Sequence, residues 1–226
     1  MQTEILYRPS YSLAKVTLSP NEKIRTEAGA MVSMSADLAV ETQARGGLLS
    51  SLARTVLGGE SFFLNTYTAS SGGGEITLAP ALPGDIMVLP MTGATMLVQS
   101  GSFLAGADSI TMDTKWGGAK TFFSGEGLFM LRIAGSGTLI LSSYGAIHEV
   151  KLGQGQKYIV DTTHLVAFDE TIGYQVKTIG GIKSTLFSGE GLVVELTGPG
   201  TVLLQTRSER AFLSWLIPKL PKPSNS

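Results

Sequence analysis

The chain has 226 residues, of which 43% are hydrophobic and only 15% charged. It can therefore fill a sizeable core and carries little surplus surface charge. A formal net charge of −1 argues against a general nucleic-acid binder working by phosphate neutralisation, and the absence of cysteine excludes disulfides and thiolate metal sites.

The N-terminus, Met1-Gln2-Thr3-Glu4, has no basic region followed by an apolar core, so it does not read as a secretory signal or a transit peptide. No apolar stretch approaches the roughly 20 residues needed to span a bilayer. These features set the expectation of a soluble, cytoplasmic protein.

Short apolar segments follow, at Ala14 to Leu18, Glu22 to Thr26 and Ala30 to Met34. Gly47 to Leu57 interrupts this pattern. It places Leu48, Leu49, Leu52 and Val56 at helical spacing, with Gly58-Gly59 after them, which predicts a helix. Its leucine face can plug a sandwich end. It can also meet a partner or a membrane surface, with Arg45 and Arg54 assisting.

Strand-like runs resume at Gly73 to Leu78, Asp85 to Leu89, Met96 to Gln99 and Phe103 to Ala105. The hexapeptide Phe-Ser-Gly-Glu-Gly-Leu then appears at Phe123 to Leu128 and again at Phe187 to Leu192, roughly 60 residues apart, a spacing that suggests repeated supersecondary units. After each copy come an apolar run and a Gly-x-Gly-Thr strand, at Gly135 to Leu141 or Gly198 to Leu204. A weaker copy is Gly59-Glu60-Ser61-Phe62-Phe63 with Gly73 to Leu78. Between the strong copies, His148 to Leu152, Tyr158 to Asp161 and His164 to Phe168 complete the pattern.

Short strands with close turn signals indicate a sandwich or barrel, and continuous apolar runs such as Leu128 to Ile133 indicate strands covered on both faces. The expected architecture is all-β. Three pseudo-repeated β-sandwich units form one closed domain over 1–207, with one unit split between the chain ends and with one or two short helices. Residues 208–226 form a short C-terminal helix and a proline-rich tail. Ser208 is the expected N-cap and Glu209 lies in the first turn. Phe212, Trp215 and Leu216 share a face that is expected to dock on the β-core, with a partner or membrane contact as the alternative.

No reactive constellation stands out. Gly125-Glu126-Gly127 and Gly189-Glu190-Gly191 precede strands, whereas a dinucleotide loop requires a following helix. They are read as turns, with Glu126 and Glu190 in repeated loop contacts. His148 and His164 are the only histidines, and the spacing of Asp161 and Asp169 around His164 is not a metal signature. The nearest approach to a single-strand RNA site is Lys115-Trp116 with Lys120 to Phe123, and its phenylalanines are better explained as repeat core.

The repeats, with Gly59 to Asn65, Leu78-Ala79-Pro80, Pro83-Gly84-Asp85, Gly101 to Ala105 and Gly198 to Val202 with Leu204-Gln205-Thr206, resemble a prokaryotic family related to the mitochondrial-biogenesis "altered inheritance of mitochondria" proteins. The resemblance covers about Tyr7 to Arg207. It implies β-sandwich units similar to the tryptophan RNA-binding attenuation protein, a homotrimer, and no catalytic, cofactor-binding or metal residues. Its mitochondrial members imply a role in membrane organisation. The expected function is a non-catalytic oligomeric scaffold with no nucleic-acid partner, and peripheral membrane association remains open. The alternative is a small-molecule or lipid-binding module.

Overall fold

The structure is a computed structural model that describes residues 1–43, 56–57, 60–61, 64–113, 129–178 and 192–221. It is mostly β-sheet, and every registered strand pair is antiparallel. The local cause is a period of two. In Leu13–Leu18, the side chains of Ala14, Val16 and Leu18 are buried and those between them face outward, as a pleated strand with one covered face requires.

The first third of the chain contains β1 (Gln2–Leu6), β2 (Leu13–Leu18), β3 (Lys23–Glu27), β4 (Met31–Met34), β5 (Leu38–Gln43), β6 (Val56–Leu57), β7 (Glu60–Ser61), β8 (Leu64–Ala69) and β9 (Gly74–Leu78). The middle third contains β10 (Ile86–Gln99), β11 (Phe103–Ala107), β12 (Ile110–Asp113) and β13 (Met130–Ser142). The last third contains β14 (Ile147–Leu152), β15 (Lys157–Asp161), β16 (Leu165–Asp169), β17 (Gly173–Thr178), β18 (Leu192–Thr197), β19 (Gly200–Gln205) and the helix α1 (Glu209–Leu216).

One sheet has the order β1-β2-β9-β4 and another β15-β18-β17. The largest runs β14-β19-β16-β10-β13-β11-β3-β8-β5, with β12 on β13. A register shift between Thr92 and Thr95 divides β10 and β13. Gly93 lies there at φ +90°, a conformation that costs glycine little. One half of β13 then meets β11 and the other meets β12.

One irregularity occurs three times. Met31 pairs with Leu78 and Ser33 with Thr77. Phe103 pairs with Leu141 and Ala105 with Ile140. Leu165 pairs with Leu204 and Ala167 with Leu203. In each case the first strand carries one extra residue, a β-bulge. The two later bulged strands, β11 and β16, each follow a 3-10 turn, at Ser100–Ser102 and Thr162–His164.

Among the described residues the core divides into three apolar clusters. One is built around Val16, Ile24, Ile76 and Leu104, a second around Val98, Phe103, Leu131 and Leu139, and a third around Leu97, Phe168, Val194 and Val202. Fully burying such side chains contributes roughly 1.5–3 kcal/mol each.

Several expectations are corrected. Among the described residues the sheets do not close: there β4 pairs only with β9 and β15 only with β18. Among the described residues the chain ends are not joined as expected, and β2, β3 and β4 pair with strands between Leu64 and Leu78 rather than with the C-terminal strands. A partner closer in sequence than the C-terminal strands is reached at lower loop-closure cost. The predicted helix at 47–57 lies largely outside the described residues. Its last two, Val56 and Leu57, pair with Ser61 and Glu60 as a two-residue strand. Among the described residues there is one α-helix, α1.

Candidate functional site beneath the C-terminal helix

Ser208 caps α1 as the sequence predicts, its side chain accepting from the Ala211 amide at 3.3 Å, with Glu209 in the first turn. The helix touches the β-body without burying any of its residues fully. Phe212 touches Tyr144 edge-on with ring centroids 6.2 Å apart. Trp215 is 60% exposed, stacks on Phe212 at 6.3 Å and carries the Lys219 ammonium 5.3 Å from its ring centroid, a cation–π contact. Apolar spacing marks which face of a helix is greasy but does not say what covers it.

Between α1 and the β-body lies a groove of about 580 Å³. Leu213 and Ile217 line its helix side, and Pro80, Ala81 and Leu82 add apolar surface from the body. Polar groups come from Gln99, Ser143, Thr163 and Gln205 among others.

Their own hydrogen bonds hold several of these groups in place. Gln205 accepts from the Tyr144 amide at 2.9 Å and donates to the Thr163 carbonyl at 2.9 Å. The Ser143 hydroxyl donates to the Gly145 carbonyl at 2.7 Å. Gln99 accepts from Ser102 at 3.3 Å. Apolar surface beside amides, hydroxyls and the charged Glu27, Glu209 and Arg210 suits an amphipathic molecule, since small-molecule sites combine apolar walls with a few polar groups.

The ionisable groups displaced from their ordinary values lie elsewhere. Burial tends to raise the Asp85 carboxyl. Hydrogen bonds from Arg8, the Ile86 amide and Ser12, with the Arg8 charge, outweigh it and hold Asp85 below the usual carboxylate range. Glu195 is lowered by hydrogen bonds from Lys177 and Lys157, at 2.7 and 3.0 Å. Glu170 is lowered by Arg132, at 2.6 Å. Burial raises the Tyr174 phenol. None of these four groups lines the groove. They form ion pairs and packing sites of the β-body.

His164 Nδ1 lies 2.7 Å from the Gln205 carbonyl. Asp161 instead accepts from the Thr163 amide and hydroxyl, at 2.8 and 2.7 Å, and Asp169 from the Thr201 amide at 2.7 Å. His148 is exposed on β14 opposite Leu204. No group of three potential metal ligands occurs among the described residues. Glu126, Glu190, Lys115, Trp116 and Lys120 to Phe123 lie outside them. Among the described residues, no helix is long and apolar enough to cross a membrane.

Sequence reasoning did not assemble the groove. One signal was available: Pro80, Gly101 and Gln205, each in a segment carrying the family resemblance, line it. Residues distant in sequence thus converge on one rim.

The comparisons with known proteins agree with this architecture. The chain is 28% identical over 223 residues to an uncharacterized protein of Streptococcus pyogenes serotype M6, covering 95% of this chain and 89% of that protein. It is 29% identical over 174 residues to Altered inheritance of mitochondria protein 24, mitochondrial, of Verticillium alfalfae, covering 73% of this chain and 43% of that longer protein. A crystal structure of a Streptococcus pyogenes protein superposes with a TM-score of 0.81 at 26% identity, covering 97% of this chain and 99% of that one. Residues 3–207 match the family described as Mitochondrial biogenesis AIM24, and the chain belongs to that family.

Proposed function

We propose that this protein is a non-catalytic scaffold or interaction protein that works as a homotrimer. Two apolar edge strands that have no neighbour on one side among the described residues carry this reading. On β4, Met31, Val32 and Met34 are 40%, 59% and 37% exposed, and on β15 Ile159 is 60% exposed. Uncovered edges of this kind are templates for pairing with another chain.

Its organisation is three β-sandwich units, similar to those of the tryptophan RNA-binding attenuation protein. The threefold bulge and the three core clusters support this. The protein acts in the cytoplasm without a nucleic-acid partner, and the exposed apolar side chains of α1 are its surface for peripheral membrane contact and hence for membrane organisation. Native mass spectrometry at micromolar concentration tests the assembly. The mass of three chains is expected, and a monomer would overturn the reading.

The groove beneath α1 favours a second reading, binding of a small amphipathic molecule or lipid. Its test is a reproducible extra mass on protein purified gently from its host. That mass should be lost in Leu213→Asp, which alters the groove wall. If the wild-type protein carries no extra mass, this second reading fails.

A further inference from the structure

Adjacent thirds of the chain are joined twice by the same kind of strand pair. At the first junction β11 pairs with β3, with Ala105 opposite Thr26 and Gly106 opposite Arg25. At the second β16 pairs with β10, with Ala167 opposite Val98 and Phe168 opposite Leu97. Both Ala105 and Ala167 are the second paired residue of the bulge described above. The equivalent residue of the first third is Ser33, on β4.

The receiving strands correspond too. Val98 lies opposite Leu131, ten residues before Leu141, and Val160 lies opposite Val194, ten residues before Leu204. Leu141 and Leu204 are themselves the matching bulge partners. Val160 on β15 is therefore the counterpart of Val98, and Ile159 of Leu97.

Burial shows what the third junction lacks. Phe103, Leu104 and Ala105 are fully buried, and so are Val166, Ala167 and Phe168, whereas their counterparts on β4 are exposed. Leu97 is 1% exposed, while Ile159 is 60% exposed. Each internal junction is also spanned by an ion pair, Arg25 with Asp108 at 3.4 Å and Arg132 with Glu170 at 2.6 Å.

We infer that β4 of one copy pairs antiparallel with β15 of the next, placing Ser33 opposite Val160 and Met34 opposite Ile159. This names the contact surface for the oligomeric reading above and rests on it. Among the described residues neither edge has a neighbour on its outer side, and the occupant is a second copy of this chain, because the pairing needed is the one each chain already supplies twice to itself. The contact is heterologous, so successive copies either close into a ring or extend as a filament. The homotrimer is the closed form.

The absence of cysteine makes the test direct. Directly opposed residues have Cβ atoms about 5 Å apart and diagonal neighbours about 7–8 Å, and a disulfide needs about 4 Å. Met34→Cys with Ile159→Cys in one chain should oxidise to a covalent trimer on non-reducing gels. Met34→Cys with Lys157→Cys, displaced by two residues, should give at least tenfold less. Both sites in the first variant are exposed, so it should retain the wild-type circular dichroism. A wild-type trimer by native mass spectrometry, with no interchain disulfide in the first variant, would overturn this pairing and leave the oligomeric reading standing. A monomeric wild-type protein would overturn both.

Discussion

Arg8 grips the buried carboxylate of Asp85 through two parallel hydrogen bonds, Nε to Oδ1 at 2.9 Å and Nη2 to Oδ2 at 2.7 Å. Asp85 is 4% exposed and also accepts from Ser12 at 3.0 Å and from the Ile86 amide at 2.8 Å. The pair ties the loop after β1 to the start of β10. Such bidentate bonds are among the stronger polar contacts, although the half-exposed guanidinium is partly screened by solvent. Arg8→Ala is expected to cost about 2 kcal/mol, lowering the melting temperature by about 5 °C.

The same carboxylate gives an acid dependence. Its folded value lies below its unfolded one, so its contribution is fully present above the ordinary carboxylate range. It is lost as pH falls through the depressed value. Thermal unfolding between pH 7 and pH 2.5 should show a smaller acid loss in Asp85→Asn than in the wild type. Equal losses in the two proteins would remove Asp85 from the account of acid lability.

Gly84 touches a neighbouring backbone where no side chain fits. A Cβ at this position would collide with the carbonyl oxygen of Ser143. Around it, the Ser12 amide donates to the Gly84 carbonyl at 3.0 Å and the Asp85 amide to the Gly145 carbonyl at 2.9 Å. Backbone must move to admit a methyl group, and Gly84→Ala should cost about 3 kcal/mol. Chemical denaturation measures this, and a loss below about 0.5 kcal/mol would contradict the close approach.

Helix α1 contributes little to the stability of the β-body. Its side chains are not buried, and exposed positions usually change stability by no more than about 0.5 kcal/mol. Trp215→Ala should therefore leave the melting temperature within about 2 °C of the wild type. A larger drop would show that the contact of the helix with the β-body carries stability.

The strand pattern was legible because alternation and glycine punctuation are local. Ala14, Val16 and Leu18 announce β2, and Leu192 to Leu196 announces β18. The Ser208 cap was legible for the same reason. The Arg8–Asp85 clamp was not, because the partners are 77 residues apart and nothing local links them, although Asp85 stood in a recognised segment. The groove escaped notice because Pro80, Gly101 and Gln205 meet only after the sheets assemble. Closure was wrongly expected for a physical reason. An apolar strand such as Met31 to Met34 signals that a neighbour is needed, but not whether the neighbour belongs to the same chain.

The most direct measurement is light scattering during size exclusion, at micromolar concentration, of the wild type beside Val32→Lys and Ile159→Lys. Both positions are exposed in the single chain, so a charge there should spare the fold while opposing edge pairing. A head-to-tail trimer predicts three-chain mass for the wild type and single-chain mass for either variant, with unchanged circular dichroism. A monomeric wild type, or trimers that persist in both variants, would contradict it.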